Sequence, residues 1–83
     1  MRKRKLEALN RYLREMGRDR WRTSFVAIEK LTGRRLPESA RKYRPWWAND
    51  ASSPGRQSWA WLEAGFHTVD VDMDREEVTF ERS

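Results

Sequence analysis

An 83-residue chain whose apolar residues recur at helical spacing up to Gly65, and at a period of two beyond it, predicts an α+β fold. Two further observations narrow the architecture. Gly17, Gly33 and Gly65 each follow an apolar stripe, where helices commonly stop, and Asp50-Ala-Ser-Ser-Pro-Gly55 is the one loop-like composition. The chain has no cysteine, so neither disulfides nor a thiolate zinc site can brace it. Five Trp, three Phe and two Tyr must supply the buried area instead. A chain of this size makes one domain around one core. We divide it into a basic amphipathic helix (1–17), a helical core (20–64) and a β-hairpin (66–82).

The elements follow in order. Leu6, Leu9, Leu13 and Met16 lie on one stripe of a helix over 3–16, with Tyr12 beside them, and Gly17 is expected to close it in left-handed geometry. Residues 20–24 read as a short extended piece. Ser24 or Thr23 can cap the next helix, whose apolar face is Phe25, Ile28 and Leu31 and whose stop is Gly33. Arg34-Arg35-Leu36 is a basic connector. Pro37 suits the first turn of a short third helix reaching about Tyr43, with Glu38 near its positive end. Pro45 forces Arg44 out of helical geometry and puts Trp46-Trp47-Ala48-Asn49 on a bend or new turn. A fourth helix is expected from near Pro54, carrying Trp59, Trp61 and Leu62 to Gly65. Its Trp59 and Leu62 share a face, while Trp61 points elsewhere. After Gly65, Val69, Val71 and Met73 alternate with Asp70, Asp72 and Asp74, and Val78 and Phe80 with Thr79 and Glu81. Residues 74–77 are the expected turn.

Three to four helices with an early strand, closed by a C-terminal β-hairpin, match the order of a small winged helix-turn-helix. The extra short helix at 37–43 departs from that order.

Charge adds a direction. The net charge is +5, and residues 1–56 carry 16 of the 18 Lys and Arg against 6 acidic residues, a net of +10. Residues 57–83 carry 2 basic and 7 acidic residues, a net of −5. Such asymmetry favours a face for nucleic acid and a back turned away from phosphate. The centre of the basic half is Leu36–Asn49. Arg34, Arg35, Arg41, Lys42 and Arg44 can contact phosphate, Asn49 can read adenine, and Tyr43, Trp46 and Trp47 can stack or pack. Arg56, Gln57 and Ser58 can extend the ridge. At least one of Trp46 and Trp47 is expected in the core, since exposing both would be unusual in so small a protein.

Other readings weigh less. Trp59, Trp61 and Leu62 are expected to be core, with Trp61 the sharper candidate for a base-stacking platform. Asp70, Asp72 and Asp74 space oxygen ligands as a calcium loop does. However, Arg75 stands where that loop needs glycine, and the alternation is that of a strand whose acidic face meets solvent. An edge of that hairpin could also pair two copies. His67 is the only histidine, and no nucleophile–base pair, phosphate loop or metal-ligand spacing is present, so we expect no enzyme and no cofactor. No apolar run approaches a membrane span or signal core. The basic first helix offers no Trp or Phe to a headgroup layer. We expect a soluble, cytoplasmic protein.

The pattern Leu36-Pro-x-Ser39-Ala40-Arg41, Trp46-Trp47-x-Asn49, Ala60-Trp61-Leu62-x-Ala64-Gly65, Val69-x-Val71-Asp72 and Val78-x-Phe80-x-Arg82 carries a resemblance. Over roughly residues 24–82 it is similar to a family of small bacterial and phage domains of unknown function with an LPxSA…WWxN…AWLxAG signature. The resemblance implies a small winged-helix-like fold and no particular activity. The matched positions Ser39, Arg41, Trp46, Trp47 and Asn49 become site candidates through it. The expected nucleic-acid-binding set is therefore Arg34, Arg35, Ser39, Arg41, Lys42, Arg44, Trp47, Asn49, Arg56 and Gln57. Duplex DNA is the favoured partner, as for a small regulator or a defence or mobile-element protein, with a homodimer or protein partner also open. The alternative is a protein-interaction module, an adaptor or inhibitor, using exposed tryptophans as anchors. No membrane and no small-molecule substrate is expected.

Overall fold

The sheet is completed by its last strand. β1 (Arg20–Ser24) and β2 (Phe66–Asp72) do not pair with each other, and both pair antiparallel with β3 (Glu77–Arg82) between them. A computed structural model describes residues 6–50 and 57–83. Its remaining elements are α1 (Glu7–Glu15), α2 (Phe25–Thr32), α3 (Glu38–Lys42), a 3-10 turn (Arg44–Trp47) and α4 (Trp59–Leu62). The described residues form a small α+β fold with four α-helices and a three-stranded antiparallel sheet.

Local signals account for most of the element ends. The Ser24 hydroxyl accepts from the Ala27 N–H at 3.0 Å and starts α2. Gly33 ends it at φ 71°, a left-handed conformation that costs glycine little. Gly65, at φ 88°, turns the chain from α4 into β2. The first helix ends differently from expectation. Gly17 is not left-handed; Met16 leaves the helix in extended geometry at ψ 129°, with its side chain buried. Burial of Met16 draws the chain off the helix axis before a glycine is needed. Pro37 sits one position outside α3, as its N-cap. The expected basic head of the first helix and the expected start of the fourth, near Pro54, lie outside the described residues.

One run of rings threads the core. Phe25 stacks on Trp47 at 4.7 Å, Trp47 on Trp61 at 5.9 Å, and Trp61 meets Phe80 at 5.8 Å. Phe80 then contacts Trp21 at 5.9 Å, and Trp21 contacts Tyr12 at 4.6 Å. Offset and tilted pairs of this kind are worth about 0.5–1.5 kcal/mol each beyond their area. Leu9, Leu13, Ile28, Ala40, Ala60, Phe66 and Val78 fill around them at 0% exposure. Trp61 is also 0% exposed, whereas Trp59 and Leu62 only pack against the core from its edge. The expectation that these residues are core thus holds outright for Trp61, on a different face from Trp59 and Leu62, which are only half-buried at the edge.

In β3 Val78 and Phe80 are buried as the alternation predicts, but Thr79 between them is buried as well, and only part of the alternation holds in β2. Phe66 and Thr68 face inward first, and Val71 and Met73 pack inward later. Between them the register shifts from Val69↔Thr79 to Asp72↔Glu77, and Asp70 adopts φ 48°. That bulge exchanges the two faces of the strand. Glu76 closes the hairpin turn at φ 56°.

On its outer side the sheet interleaves the two halves of the charge distribution. Arg20 pairs with Glu81 at 2.5 Å and Asp70 at 3.4 Å, and Arg22 pairs with Glu77 at 2.9 Å. Arg22 also donates to Thr79 Oγ1 at 3.2 Å, and Thr79 is fully covered. Arg82 pairs with Asp19 at 2.7 Å and lies over the Phe66 ring. Antiparallel pairing of β1 with β3 thus sets Arg20 and Arg22 of the basic half against Glu81, Asp70 and Glu77 of the acidic half. Among the described residues no helix is long and apolar enough to cross a membrane.

Candidate nucleic-acid interface

The candidate residues divide by what their side chains already touch. Arg41, on α3, reaches back across α2. Its Nη1 and Nη2 meet the two oxygens of Glu29 at 2.7 and 3.1 Å, and its Nε meets Glu76 of the hairpin turn at 3.2 Å. Glu29 also accepts the Leu36 N–H at 2.7 Å. The Arg41 hydrogen bond first, and the Leu36 N–H second, hold the Glu29 carboxyl at about 2, well below its usual 4.5, against the opposing effect of burial. The same contact raises the Arg41 pKa. Fixing one fork between two carboxylates ties α2, α3 and the hairpin together. The Phe25 N–H donates to Glu76 O at 2.8 Å and closes the same junction.

Asn49 is equally committed. It lies at the surface just beyond the 3-10 turn, yet its Oδ1 accepts from Trp61 Nε1 at 3.0 Å and from the Thr68 N–H at 2.8 Å. Its Nδ2 donates to Thr68 O at 3.0 Å. Both ends of the amide thus grip β2 and α4, the bidentate pattern that a base edge would otherwise receive. Trp47 is corrected from contact residue to core. It is 1% exposed, its Nε1 donates to Ala40 O at 2.8 Å, and its own carbonyl accepts from Thr68 Oγ1 at 2.6 Å. The stacking alternative for Trp61 fails for the same reason, since that ring is enclosed. Arg44 donates to Val71 O, bracing the far end of the hairpin.

Arg34 and Arg35 differ. Both are exposed in the connector between α2 and α3, and neither is in an ion pair among the described residues. Lys42 has only Glu38 at 3.6 Å, one helical turn away and largely in solvent, and Ser39 is exposed on the same helix. Surface pairs of that kind contribute little. Arg34 and Arg35 border a cleft of about 210 Å³ whose apolar walls are Leu6, Leu36, Pro37 and Trp46. Gln57 also lines it and donates to Trp46 O at 2.6 Å. Arg56 lies outside the described residues.

The structure therefore brings together Arg34, Arg35 and Gln57 around one cleft, with Lys42 on the helix that follows, while Arg41, Trp47 and Asn49 are held in the frame. Spacing along the chain gave no indication of Leu6 or Trp46 as cleft walls. Leu6 is the N-cap of the first helix, and only the folded chain sets it beside the α2–α3 connector. Three carboxylates, two arginines, Asn10 and Trp59 border a second, polar hollow along α1 and α4. Among the described residues no group of three or more His, Asp or Glu is placed to hold a metal.

Neither a curated protein nor a solved structure matches this chain. A family model does, over residues 6–83, and it spans every described element from α1 to β3. The chain belongs to that family, a domain of unknown function (DUF7662).

Proposed function

We propose that this domain binds nucleic acid through the α2–α3 corner, with Arg34, Arg35 and Lys42 contacting phosphate. The observation that carries the reading is the contrast in pairing. Arginines on the sheet and at Arg41 face carboxylates at 2.5–3.4 Å, while Arg34 and Arg35 face solvent. Unpaired guanidinium groups, side by side and beside a hydrogen-bonding amide, suit a polyanion whose condensed counterions are released on contact. The element order, with the sheet order β1-β3-β2, supports a winged-helix-like arrangement and so makes duplex DNA the first form to test.

Fluorescence anisotropy with a labelled random-sequence duplex over a salt series tests this. Binding should weaken steeply with salt, and Arg34→Ala with Arg35→Ala should reduce the slope of log K against log salt by roughly two, about one per lost phosphate contact. No binding at low salt would sink the proposal. It would promote the second reading, a protein partner. For that reading the exposed large apolar groups among the described residues are Tyr43 at 62% and Val26 at 46%, in place of the expected tryptophans.

A further inference from the structure

We infer that the cleft beside Arg34 and Arg35 receives one unpaired nucleobase, so that the corner prefers nucleic acid carrying a single-stranded or extruded nucleotide. This rests on the nucleic-acid reading above and goes beyond it by naming the form of the ligand.

The shape of the corner is the first argument. Reading a duplex from its major groove requires a protruding element, usually a helix laid into the groove. Here α3 has five residues, and α4 has four with Ala60 and Trp61 turned fully inward. What the corner offers instead is concave, and a concave site takes a group that has left the base stack.

Size and lining make the second argument. About 210 Å³ corresponds to about seven waters at roughly 30 Å³ each. That is below the roughly 300–1,000 Å³ of pockets for drug-sized ligands, and it suits one flat ring system better than a whole nucleotide cofactor. Leu6, Leu36, Pro37 and Trp46 give the ring apolar contact, and Arg34 and Arg35 stand where the flanking phosphates would lie. Trp46 is a rigid wall. Its ring meets Trp47 edge-on at 4.7 Å and Trp61 at 6.4 Å, and Gln57 holds its carbonyl. A wall already fixed by the core loses little freedom when a base packs on it, and base–aromatic contact tolerates any base identity.

Three labelled probes of one sequence separate the possibilities by anisotropy at fixed salt: a blunt duplex, the same duplex with a single-stranded dT tail, and the same duplex with a tail of abasic residues. The two tails add equal phosphate charge and differ only in bases. The dT-tailed probe should bind about tenfold more tightly than the abasic-tailed one. Thr32, the last residue of α2, also lines the cleft, and Thr32→Phe, which puts a ring into it, should abolish that difference; Thr32→Val, which loses the same hydroxyl contacts to the Arg34 backbone but adds no ring, should keep it. Circular dichroism of the variant establishes that it is folded. Equal affinity for dT and abasic tails, or a base preference that survives in folded Thr32→Phe, overturns the inference while the phosphate reading stands. Failure of all three probes to bind overturns that reading itself.

Discussion

Arg41 and the pair Arg34 and Arg35 lie a few residues apart in the chain and have opposite surroundings in the fold. Arg41 is 27% exposed and sits between Glu29, itself 17% exposed, and Glu76. Arg34 and Arg35 stand in solvent at the mouth of a cleft. Arg41 couples three elements, whereas Arg34 and Arg35 form no ion pair among the described residues, Arg35 acting on Glu29 only through space. A basic stretch is thus not one surface. Its members separate according to whether a carboxylate is folded against them, and function is to be sought where none is.

The two surroundings predict different costs on substitution, with stability read from urea unfolding. The largest effect should come from Trp47→Ala, which empties the centre of the ring run and should cost about 3–5 kcal/mol, enough to leave much of the protein unfolded. Asn49→Ala leaves the Trp61 Nε1 and Thr68 N–H donors without their acceptor and should cost about 2 kcal/mol. If it costs less than about 0.5 kcal/mol, the clasp is dispensable and Asn49 returns to the candidate contacts.

Arg41→Ala should cost about 1–2 kcal/mol, discounted from a fully buried pair because both groups retain some solvent. Its pH dependence is distinctive. Glu29 has a folded pKa near 2 against 4.5 unfolded, so the unfolded chain binds more protons between those values. The stabilisation is complete above about pH 4.5 and is lost as pH falls toward 2. Glu29→Gln should flatten that part of the stability profile; an unchanged profile would remove Glu29 from the account. The smallest effect should be that of Arg34→Ala with Arg35→Ala, within about 0.5 kcal/mol of wild type. A larger loss would move these arginines into the frame and undercut the proposed interface.

What could be read in advance was local. Ser24 as cap, Gly33 as left-handed stop and the change of period after Gly65 depend on neighbours within a few residues, and all three hold in the fold. The early strand at 20–24 was legible too, but not its place beside β3, which cancels Arg20 and Arg22 against Glu81 and Glu77. Arg41 and Asn49 were ambiguous for the same reason. A guanidinium or an amide has the same chemistry toward a phosphate or a base as toward Glu29 or Thr68. Only the folded partner decides between them. The Asp70 bulge was hidden because regular alternation in sequence gives no sign of a left-handed residue that exchanges the faces of the strand. In this chain Trp46-Trp47-Ala48-Asn49 and Ala60-Trp61-Leu62 supply the clasp and the centre of the ring run, so the residues that carried the resemblance serve here to hold the domain together.

The order β1-β3-β2 also bears on how the protein is made. A nascent chain emerges from the ribosome with both outer strands available and the strand between them still to come. No sheet can form until residue 82 has cleared the exit tunnel, although α1 and α2 are already outside. During that interval Trp21 and Phe66 lack the partner strand that covers them, a condition that favours association with chaperones or with other nascent chains. Synthesis halted before β3 should therefore yield a helical, aggregation-prone fragment, and completion of that one strand should convert it to the folded domain.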